Sequence, residues 1–283
     1  MLKQRVITAV LLLAILLPAL FYQSPFHFCV VALALIAAGT WEWGRLNGCA
    51  QGLSMLLALA CVLMCGLSWY AGLLDKSLPM LWTLASGSWV LAGAWLLLQG
   101  VPGWSRIPKG LRLWGGLVAL WLAWLAVAQA RVIGINFLLS VLLLVWVADI
   151  SAYFAGRTFG GRFIKSKLAP SISPGKSWEG VWGGMVGVVL LSLVWLGLDT
   201  RGPNAFSGSL YVRLWAFHGA AVMLVAVIFL AAMSVLGDLV ESLIKRSAGV
   251  KDSSGLLPGH GGVLDRVDAL LPALPLAMML ASI

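Results

Sequence analysis

Charged residues concentrate in one glycine-rich stretch of an otherwise apolar chain, from Asp238 to Asp268. Nine of the 29 Lys, Arg, Asp and Glu residues fall there, although 61% of the chain is hydrophobic. Isolated ionised groups are costly in hydrocarbon, so such a cluster indicates either chemistry or a solvated loop. Asp238 and Asp265 fall on opposite limbs of a predicted helix-loop-helix hairpin. Carboxylates that meet there with water and phosphate oxygens would suit Mg²⁺.

The first limb of this hairpin carries polar side chains on one helical face. Ser234, Asp238, Glu241 and Lys245 follow one another at helical spacing. The loop after them contains PGHGG, in which His260 stands between glycines that allow close backbone approach. An isolated histidine is more often a structural hydrogen-bonding residue. In this setting we predict that it contacts phosphate or donates a proton to a leaving group.

A second polar cluster covers residues 149–180. Asp149 and Ser151 lie near the end of an apolar stretch, and we predict that they face the bundle interior. Cations and backbone N–H groups downstream could converge on an oxyanion, because basic residues alternate there with glycine and serine. The basic residues are Arg157, Arg162, Lys165, Lys167 and Lys176. A positive loop held on anionic lipid is the alternative interpretation.

The end of the second cluster, ISPGKSWEG, contains a Gly-Lys-Ser triplet. It does not match a P-loop, because no glycine stands five residues before Gly175 and no soluble β-strand precedes it. Candidate phosphate or headgroup contacts at the start of the following apolar span are Ser173, Lys176, Ser177 and Glu179. A helix N-terminus there would add its own attraction for an anion.

The elements that must position these residues are membrane helices. The chain has 283 residues with only 10% charged side chains and a mean hydropathy of +0.98. Its apolar runs match the length of a helix that crosses a bilayer, which predicts an all-α, polytopic membrane bundle. Lys3 and Arg5 precede the first run, which we interpret as a retained helix and not as a cleaved signal.

The net charge of +9 does not indicate nucleic-acid binding, because no soluble region is large enough to carry a basic surface. Lipid headgroups and phosphate substrates are the expected anionic partners. The four cysteines have neither metal-ligand spacing nor the context of a disulfide framework.

Nine membrane spans are predicted, and they form one membrane domain. We expect N-terminal helices over 1–130 and a catalytic region over 131–283, with polar connections 156–179 and 237–268. The spans are 6–22, 27–44, 52–74, 78–99, 114–130, 134–155, 180–198, 213–236 and 269–283. The least regular are the second, which contains Glu42, and the ninth, which is short and contains two prolines.

The positive-inside rule orients these spans. With a cytoplasmic N-terminus, 15 Lys and Arg residues lie on the cytoplasmic side and four on the other. The four are Lys76, Arg131, Arg201 and Arg213. Both polar connections then face the cytoplasm, where soluble nucleotides are found.

The segment from Ser242 to Asp268 resembles the signature of the phosphatidate cytidylyltransferases, also called CDP-diacylglycerol synthases. The matching positions are Ser242, Lys245, Arg246, Lys251, Asp252, Pro258, His260, Gly261, Gly262, Asp265, Arg266 and Asp268. The resemblance extends to SVLGDLVES, KLAPSISPGKSWEG, DISAYFAGR and WEWGRL, and so covers most of the chain. Ser254 stands where many members have glycine.

The resemblance implies a magnesium-dependent transfer of cytidylyl from CTP to phosphatidic acid, which yields CDP-diacylglycerol and pyrophosphate. It implies that Asp238 and Asp265 are catalytic and hold Mg²⁺, with a second monovalent or divalent cation as an option, and that Lys245 and His260 are catalytic. Phosphate-binding residues would be Arg246, Lys251, Arg266, Ser173, Lys176, Ser177, Gly261 and Gly262. Residues that organise the site around these would be Asp149, Glu241, Asp252 and Asp268. The expected location is the bacterial inner membrane with the site facing the cytoplasm, and a homodimer is expected.

Two other functions are compatible with membrane helices that carry acids. One is a CTP-dependent kinase of a polyprenol-type lipid alcohol. The other is an ion-coupled transporter that uses Asp149, Asp238 and Asp265 as intramembrane ion ligands. Against the transporter, these acids gather at one membrane face and no inverted repeat is visible.

Overall fold

The computed structural model describes residues 2–200 and 208–282. Arg201, which we assigned to the outer connections, lies outside this range. Ten helices and one two-stranded sheet are present in the described residues. They are α1 (Leu2–Phe21), α2 (Pro25–Leu46), α3 (Gln51–Tyr70), α4 (Pro79–Arg106), α5 (Lys109–Ile133), α6 (Ile135–Phe159), β1 (Lys167–Ala169), β2 (Ser173–Ser177), α7 (Trp178–Asp199), α8 (Leu210–Ser247), α9 (Leu264–Val267) and α10 (Leu270–Ser282). The predicted all-α, polytopic membrane class is confirmed.

Eight of the described helices, α1 to α8, are long and apolar enough to cross a membrane. The ninth predicted span corresponds to α10, which has 13 residues. At the α-helical rise this is about 20 Å, which is less than the roughly 30 Å of a hydrocarbon core. The prediction of nine spans therefore exceeds by one the number that this length criterion supports. The preceding turn and α9 take up the residues that would have lengthened α10.

The two polar connections are shorter than predicted, because the flanking helices extend into them. α6 continues to Phe159, and an antiparallel hairpin of β1 and β2 then leads directly into α7. The α8 helix continues to Ser247, which leaves residues 248–263 as the loop before α9. Asp238, Glu241 and Lys245 are thus helical residues, as their spacing indicates.

The chain divides into two compact units that interleave along the sequence. Unit 1 comprises Met1–Ser77, Val101–Ile135 and Glu241–Asp268, and unit 2 comprises Leu78–Gly100, Asn136–Val240 and Ala269–Ile283. Segments distant in sequence therefore pack together within each unit, and the predicted division of the chain at residue 130 stays a prediction.

In unit 1, α5 is the most buried of the long helices. Its Trp124 is fully buried and donates its indole N–H to the Cys29 carbonyl of α2 at 3.1 Å. At Gly116 a side chain would collide with Trp43, so glycine is required for the close approach of α2 and α5. By contrast, α1 and α3 expose many large apolar side chains, as expected of lipid-facing helices.

Polar side chains inside unit 1 form hydrogen bonds with the unpaired backbone groups at helix ends. Arg131, which we assigned to an outer connection, is buried at the end of α5. Its guanidinium donates hydrogen bonds to the carbonyls of Leu20 and Tyr22 at 3.0 and 2.5 Å. These carbonyls lie at the C-terminal end of α1, where no later residue of the helix donates to them. The Arg131 charge is therefore used to terminate a neighbouring helix.

In unit 2, α6 and α7 pack through small residues. A side chain at Gly183 would collide with Ala155, and one at Gly187 would collide with Ser151. Such a row of small residues lets membrane helices approach closely. Ser151 faces α7, as predicted for the bundle interior, whereas the Asp149 side chain is exposed.

Candidate active site

The buried carboxylate of Glu42 lies under the loop that follows α8. Glu42 is fully buried on α2. Its carboxylate accepts hydrogen bonds from the backbone N–H groups of Val263 and Leu264 at 2.9 and 2.8 Å. It also accepts one from the Ser254 hydroxyl at 2.5 Å. A buried charge is tolerated only when it is paired or hydrogen-bonded, and these donors from residues 254–264 provide the compensation.

Asp265, a predicted catalytic residue, is held from several directions in unit 1. Its Oδ2 accepts hydrogen bonds from the Ser253 N–H at 2.9 Å and from the Gly262 N–H at 2.7 Å. The Ser253 hydroxyl lies 2.8 Å from this oxygen and 3.3 Å from Glu42, and its single proton favours the nearer carboxylate. Asp265 Oδ1 accepts a hydrogen bond from the Lys245 ammonium at 2.6 Å. The orientation of this carboxylate is therefore determined on both sides.

Lys245 joins two acids. Besides Asp265, its ammonium forms an ion pair with Glu241 one helical turn earlier on α8. The Glu241 oxygens are buried and otherwise accept no hydrogen bond from the part of the chain that the structure describes. One cation thus contacts two acidic side chains, and it joins α8 to the residue at the start of α9.

The pKa of the Asp265 carboxyl reflects this environment. Burial raises the pKa, but hydrogen bonds from Lys245, Gly262 and Ser253 outweigh burial and lower it to about 2. Because the pKa is lower in the folded state, ionised Asp265 stabilises the folded protein. This contribution is fully present above the ordinary pKa of about 3.9 and is lost as the pH falls through about 2. Asp265 is therefore an anion throughout the physiological pH range.

The glycine-rich turn between residues 257 and 262 fits closely around these carboxylates. Gly261 has a φ of +82°, and a Cβ there would lie 2.6 Å from Asp265 Oδ2. A side chain at Gly262 would collide with Ser253 and Glu42. The predicted phosphate-binding role of Gly261 and Gly262 stays a prediction. In the structure, the Gly262 N–H is already used by Asp265.

The other predicted residues of unit 1 lie around this turn. His260 is half-buried, its backbone N–H donates to the Leu257 carbonyl, and its Nδ1 is buried with no hydrogen-bond partner among the described residues. Asp268 is half-buried near the end of α9. The exposed members of the predicted set are Arg246, Lys251, Asp252 and Arg266. Their long or charged side chains are thus accessible to a soluble anion or cation.

Unit 2 contains a second pair of opposite charges. The Lys176 ammonium on β2 lies 2.5 Å from Asp238 Oδ2 on α8, and both side chains are partly exposed. Asp149 interacts electrostatically with Asp238 and Lys176. The structure thus brings together three residues that the sequence analysis placed in two separate clusters. Asp238 and Asp265, which we predicted to meet, belong to different units.

Ser177 and Glu179 organise the start of α7. Ser177 is buried, and its hydroxyl caps the helix by accepting a hydrogen bond from the Gly180 N–H at 3.2 Å. Ser173 pairs with Ala169 in the hairpin. Glu179 Oε1 accepts hydrogen bonds from the N–H groups of the turn before β1. The donors are Gly161, Phe163 and Ile164, at 3.1, 3.0 and 2.9 Å. The Ser177 and Glu179 side chains therefore orient the hairpin that carries Lys176.

We expect Glu179→Gln to loosen this turn, because a neutral amide oxygen is a weaker acceptor for three N–H groups than a carboxylate. Hydrogen exchange of the amides at 161–164 should become about 10-fold faster, which corresponds to about 1.4 kcal/mol. Exchange within α3, in unit 1, serves as an internal control and should not change. Unchanged exchange at 161–164 would contradict the role assigned to Glu179.

A magnesium ion is expected from the family resemblance, and the carboxylate oxygens of the site can be compared with the ligands that Mg²⁺ prefers. In the described ranges, no group of three or more His, Cys, Asp or Glu residues could hold a metal. Mg²⁺ is commonly held by one or two carboxylates together with water and substrate phosphates. Asp238 with Asp149 in unit 2 fits such a site, and so does the carboxylate of Glu241 with Asp265 Oδ1 in unit 1. Asp265 Oδ2 fits less well, since it already receives three hydrogen bonds.

Glu42 is the organising residue that the sequence analysis missed. In the sequence it stands out only as a charge near the end of the otherwise apolar second span. The signal that could have found it is the acid in WEWGRL, within a motif that carries the family resemblance. An acid retained near the end of an apolar helix implies a polar partner, and the partner is the loop 211 or more residues later.

Comparisons with known proteins agree with the family resemblance of the segment from Ser242 to Asp268. The model of the cytidylyltransferase family matches residues 3–283. A Pseudomonas aeruginosa protein named phosphatidate cytidylyltransferase is 38% identical over 97% of this chain and 95% of its own length. A Haemophilus influenzae protein of the same name is 36% identical over 97% of this chain and 96% of its own length. The Arabidopsis thaliana protein named phosphatidate cytidylyltransferase 5, chloroplastic, is 31% identical over 87% of this chain and 63% of its own length. On this match over nearly its whole length, the chain belongs to the cytidylyltransferase family.

Proposed function

We propose that this protein transfers cytidylyl from CTP to phosphatidic acid and releases pyrophosphate, and so makes CDP-diacylglycerol for phospholipid synthesis. The observation that carries the proposal is the match to the two bacterial relatives over almost the full length of each chain. The ion pairs of Lys245 with Asp265 and of Lys176 with Asp238 agree with this function, since they place charged groups together in the segments that carry the resemblance.

The reaction requires little covalent chemistry from the protein. A phosphate oxygen of phosphatidic acid attacks the α-phosphorus of CTP in line, a new P–O bond forms, and the bond to the pyrophosphate leaving group breaks. Two polyanions must approach each other, so positioning and charge compensation supply most of the rate enhancement. Lys245 in unit 1 and Lys176 in unit 2 are cations fixed by carboxylates, and the accessible Arg246, Lys251 and Arg266 add positive charge.

Magnesium is proposed as the cofactor, and Asp238 in unit 2 and Asp265 in unit 1 are each proposed as a ligand that would act together with substrate phosphates. When bound, it would neutralise phosphate charge and polarise the reacting phosphorus. The Lys245 ammonium and the N–H groups of Gly262 and Ser253 keep Asp265 ionised and oriented for this role. His260, whose buried Nδ1 has no hydrogen-bond partner in the described residues, is proposed to contact a phosphate oxygen or the leaving group when substrate binds at the turn.

The proposed location is the bacterial inner membrane, with the N-terminus and the site on the cytoplasmic side, where CTP is found. Two observations support this orientation. The positive-inside count favours it. In unit 1, the first turns of α1 contact the loop after α8, which agrees with an even number of spans between them. A homodimer stays a prediction.

The test of the function is direct. Purified protein in detergent is incubated with radiolabelled CTP, phosphatidic acid and Mg²⁺, and the lipid products are separated. Label in CDP-diacylglycerol, with release of pyrophosphate, is the expected result. A phosphorylated lipid alcohol with CDP as co-product would instead identify a lipid kinase. Absence of labelled lipid across metals and detergents would reject the proposed function.

We expect Lys176→Met to raise the KM for CTP by about 10-fold, because a fixed cation that pairs with phosphate is removed while Asp238 keeps its negative charge. Lys76→Met is the matched control, since Lys76 is an exposed lysine predicted on the opposite side of the membrane. Steady-state kinetics with varied CTP provide the measurement. A KM equal to that of the wild type would remove Lys176 from nucleotide binding.

A further inference from the structure

The first helix contacts the glycine-rich turn directly. The Arg5 Nε donates a hydrogen bond to the Gly259 carbonyl at 2.9 Å, and the Thr8 hydroxyl donates one to the Pro258 carbonyl at 2.9 Å. These pairs are 254 and 250 residues apart in sequence. Nothing in the first apolar span, taken by itself, indicates a function beyond crossing the membrane.

The Thr8 hydroxyl donates in a different direction from the hydroxyls of three other threonines. A threonine within a helix commonly donates to the carbonyl four residues earlier on the same helix. Thr40, Thr83 and Thr200 all do so, at 2.8 to 2.9 Å. Thr8 is buried and donates to Pro258 in a different segment. Its hydrogen bond therefore ties two distant segments, whereas the others remain within one helix.

Gly259 in the turn also allows α1 to approach closely. Gly259 has a φ of +77°, a conformation that favours glycine. A Cβ at this position would lie 2.8 Å from Arg5 Cγ and 3.2 Å from the Arg5 backbone nitrogen. The turn is thus packed against the helix as well as hydrogen-bonded to it.

The turn also forms hydrogen bonds within itself, and the residues at its end donate to two carboxylates. The Leu257 N–H donates to the Gly261 carbonyl at 2.8 Å, and the His260 N–H donates to the Leu257 carbonyl at 2.8 Å. Beyond them, the carboxylates of Asp265 and Glu42 accept the N–H groups of residues 262 to 264. Donors on α1 bind the carbonyls of residues 258 and 259, and His260 lies between the two sets of contacts.

We propose that Arg5 and Thr8 are positioning residues of the active site, through which α1 holds the turn that carries His260. The inference rests on the proposed function for its kinetic consequence, but the contact itself can be tested without activity. In this arrangement α1 has a role in addition to anchoring the protein. A change at the N-terminus is transmitted to His260 through the carbonyls of Pro258 and Gly259.

The experiment uses the full-length protein with Arg5→Met and Thr8→Val, singly and combined, and measures hydrogen exchange of the 257–263 segment. We expect exchange there to become at least about 10-fold faster in the double variant, because two anchoring hydrogen bonds are lost. The kcat should fall about 10-fold or more while the KM for CTP changes less than about 3-fold, as expected when a group acts mainly in the transition state. Arg5→Lys and Thr8→Ser retain a donor and should restore most of both properties.

Lys3→Met is the matched control, because Lys3 is an exposed basic residue on the same turn of α1. It should leave the exchange and the kcat unchanged. Wild-type exchange at 257–263 in the double variant would overturn the inference even if the wild type proved inactive in the assay. Equal loss of kcat in the Lys3 control, or no rescue by the donor-retaining variants, would also overturn it, because the effect would then follow charge or general stability.

Discussion

Asp265→Asn is expected to lower the turnover rate by at least about 100-fold while the protein remains folded. The substitution keeps the size of the side chain but removes its charge. Asp265 is surrounded by donors on both oxygens, namely the Lys245 ammonium on one side and the Ser253 and Gly262 N–H groups on the other. The asparagine NH₂ group must therefore face a donor in either orientation, which leaves at least one donor unpaired.

The measurement is the rate of CDP-diacylglycerol formation at saturating CTP, with thermal unfolding to establish that the variant folds. Asp75→Asn is the matched control, because Asp75 is an exposed acid of unit 1 in the turn after α3. It should retain the wild-type rate. Near-normal turnover of the Asp265 variant would remove this carboxylate from the proposed chemistry and leave the acids of unit 2 as the candidates.

Glu42→Gln should produce the largest loss of stability among single substitutions in unit 1. The carboxylate accepts hydrogen bonds from Val263, Leu264 and Ser254 in a fully buried position. An amide in its place presents an NH₂ group to donors, and the unsatisfied groups cannot reach water. Breaking such a buried network costs about 3–5 kcal/mol. The apparent Tm in detergent should fall by about 10 °C.

Thr40→Val on the same helix provides the comparison for Glu42. Thr40 is also fully buried, but its hydroxyl donates to the Ile36 carbonyl within α2, so its removal leaves no backbone N–H of the loop unpaired. We expect its cost to be about 1 kcal/mol or less. Hydrogen exchange in the loop 248–263 should accelerate in the Glu42 variant only. Equal melting temperatures for the two variants would show that Glu42 does not anchor the loop.

The hydropathy of the chain was sufficient to predict the membrane class and the positions of eight long helices. This succeeds because a helix that crosses a bilayer must be continuous and apolar for about 20 residues, a constraint that each segment satisfies by itself. The same reasoning was less accurate for the 269–283 segment. The short helix α9 lies just before that segment, and Glu42 accepts the N–H groups of Val263 and Leu264 at its start, a contact that hydropathy does not show.

The chemical types of the site were also readable from the sequence. Acids, lysines and glycines in the 238–268 segment indicated phosphate chemistry. Charged groups are costly in an apolar chain, so they indicate a binding site or a reaction. Helical spacing correctly grouped Glu241 with Lys245, which form an ion pair one turn apart.

Only the tertiary structure decided which groups are partners. The pairing of Lys176 with Asp238, the burial of Glu42 beneath the loop and the contact of Arg5 and Thr8 with the turn join residues between 62 and 254 positions apart. Such contacts have no local periodicity, because they depend on the way helices pack and not on the pattern within any one helix. The polar residues that appeared from the sequence to be one reacting set are therefore divided in the structure between carboxylates that hold the loop and charges that remain accessible to substrate.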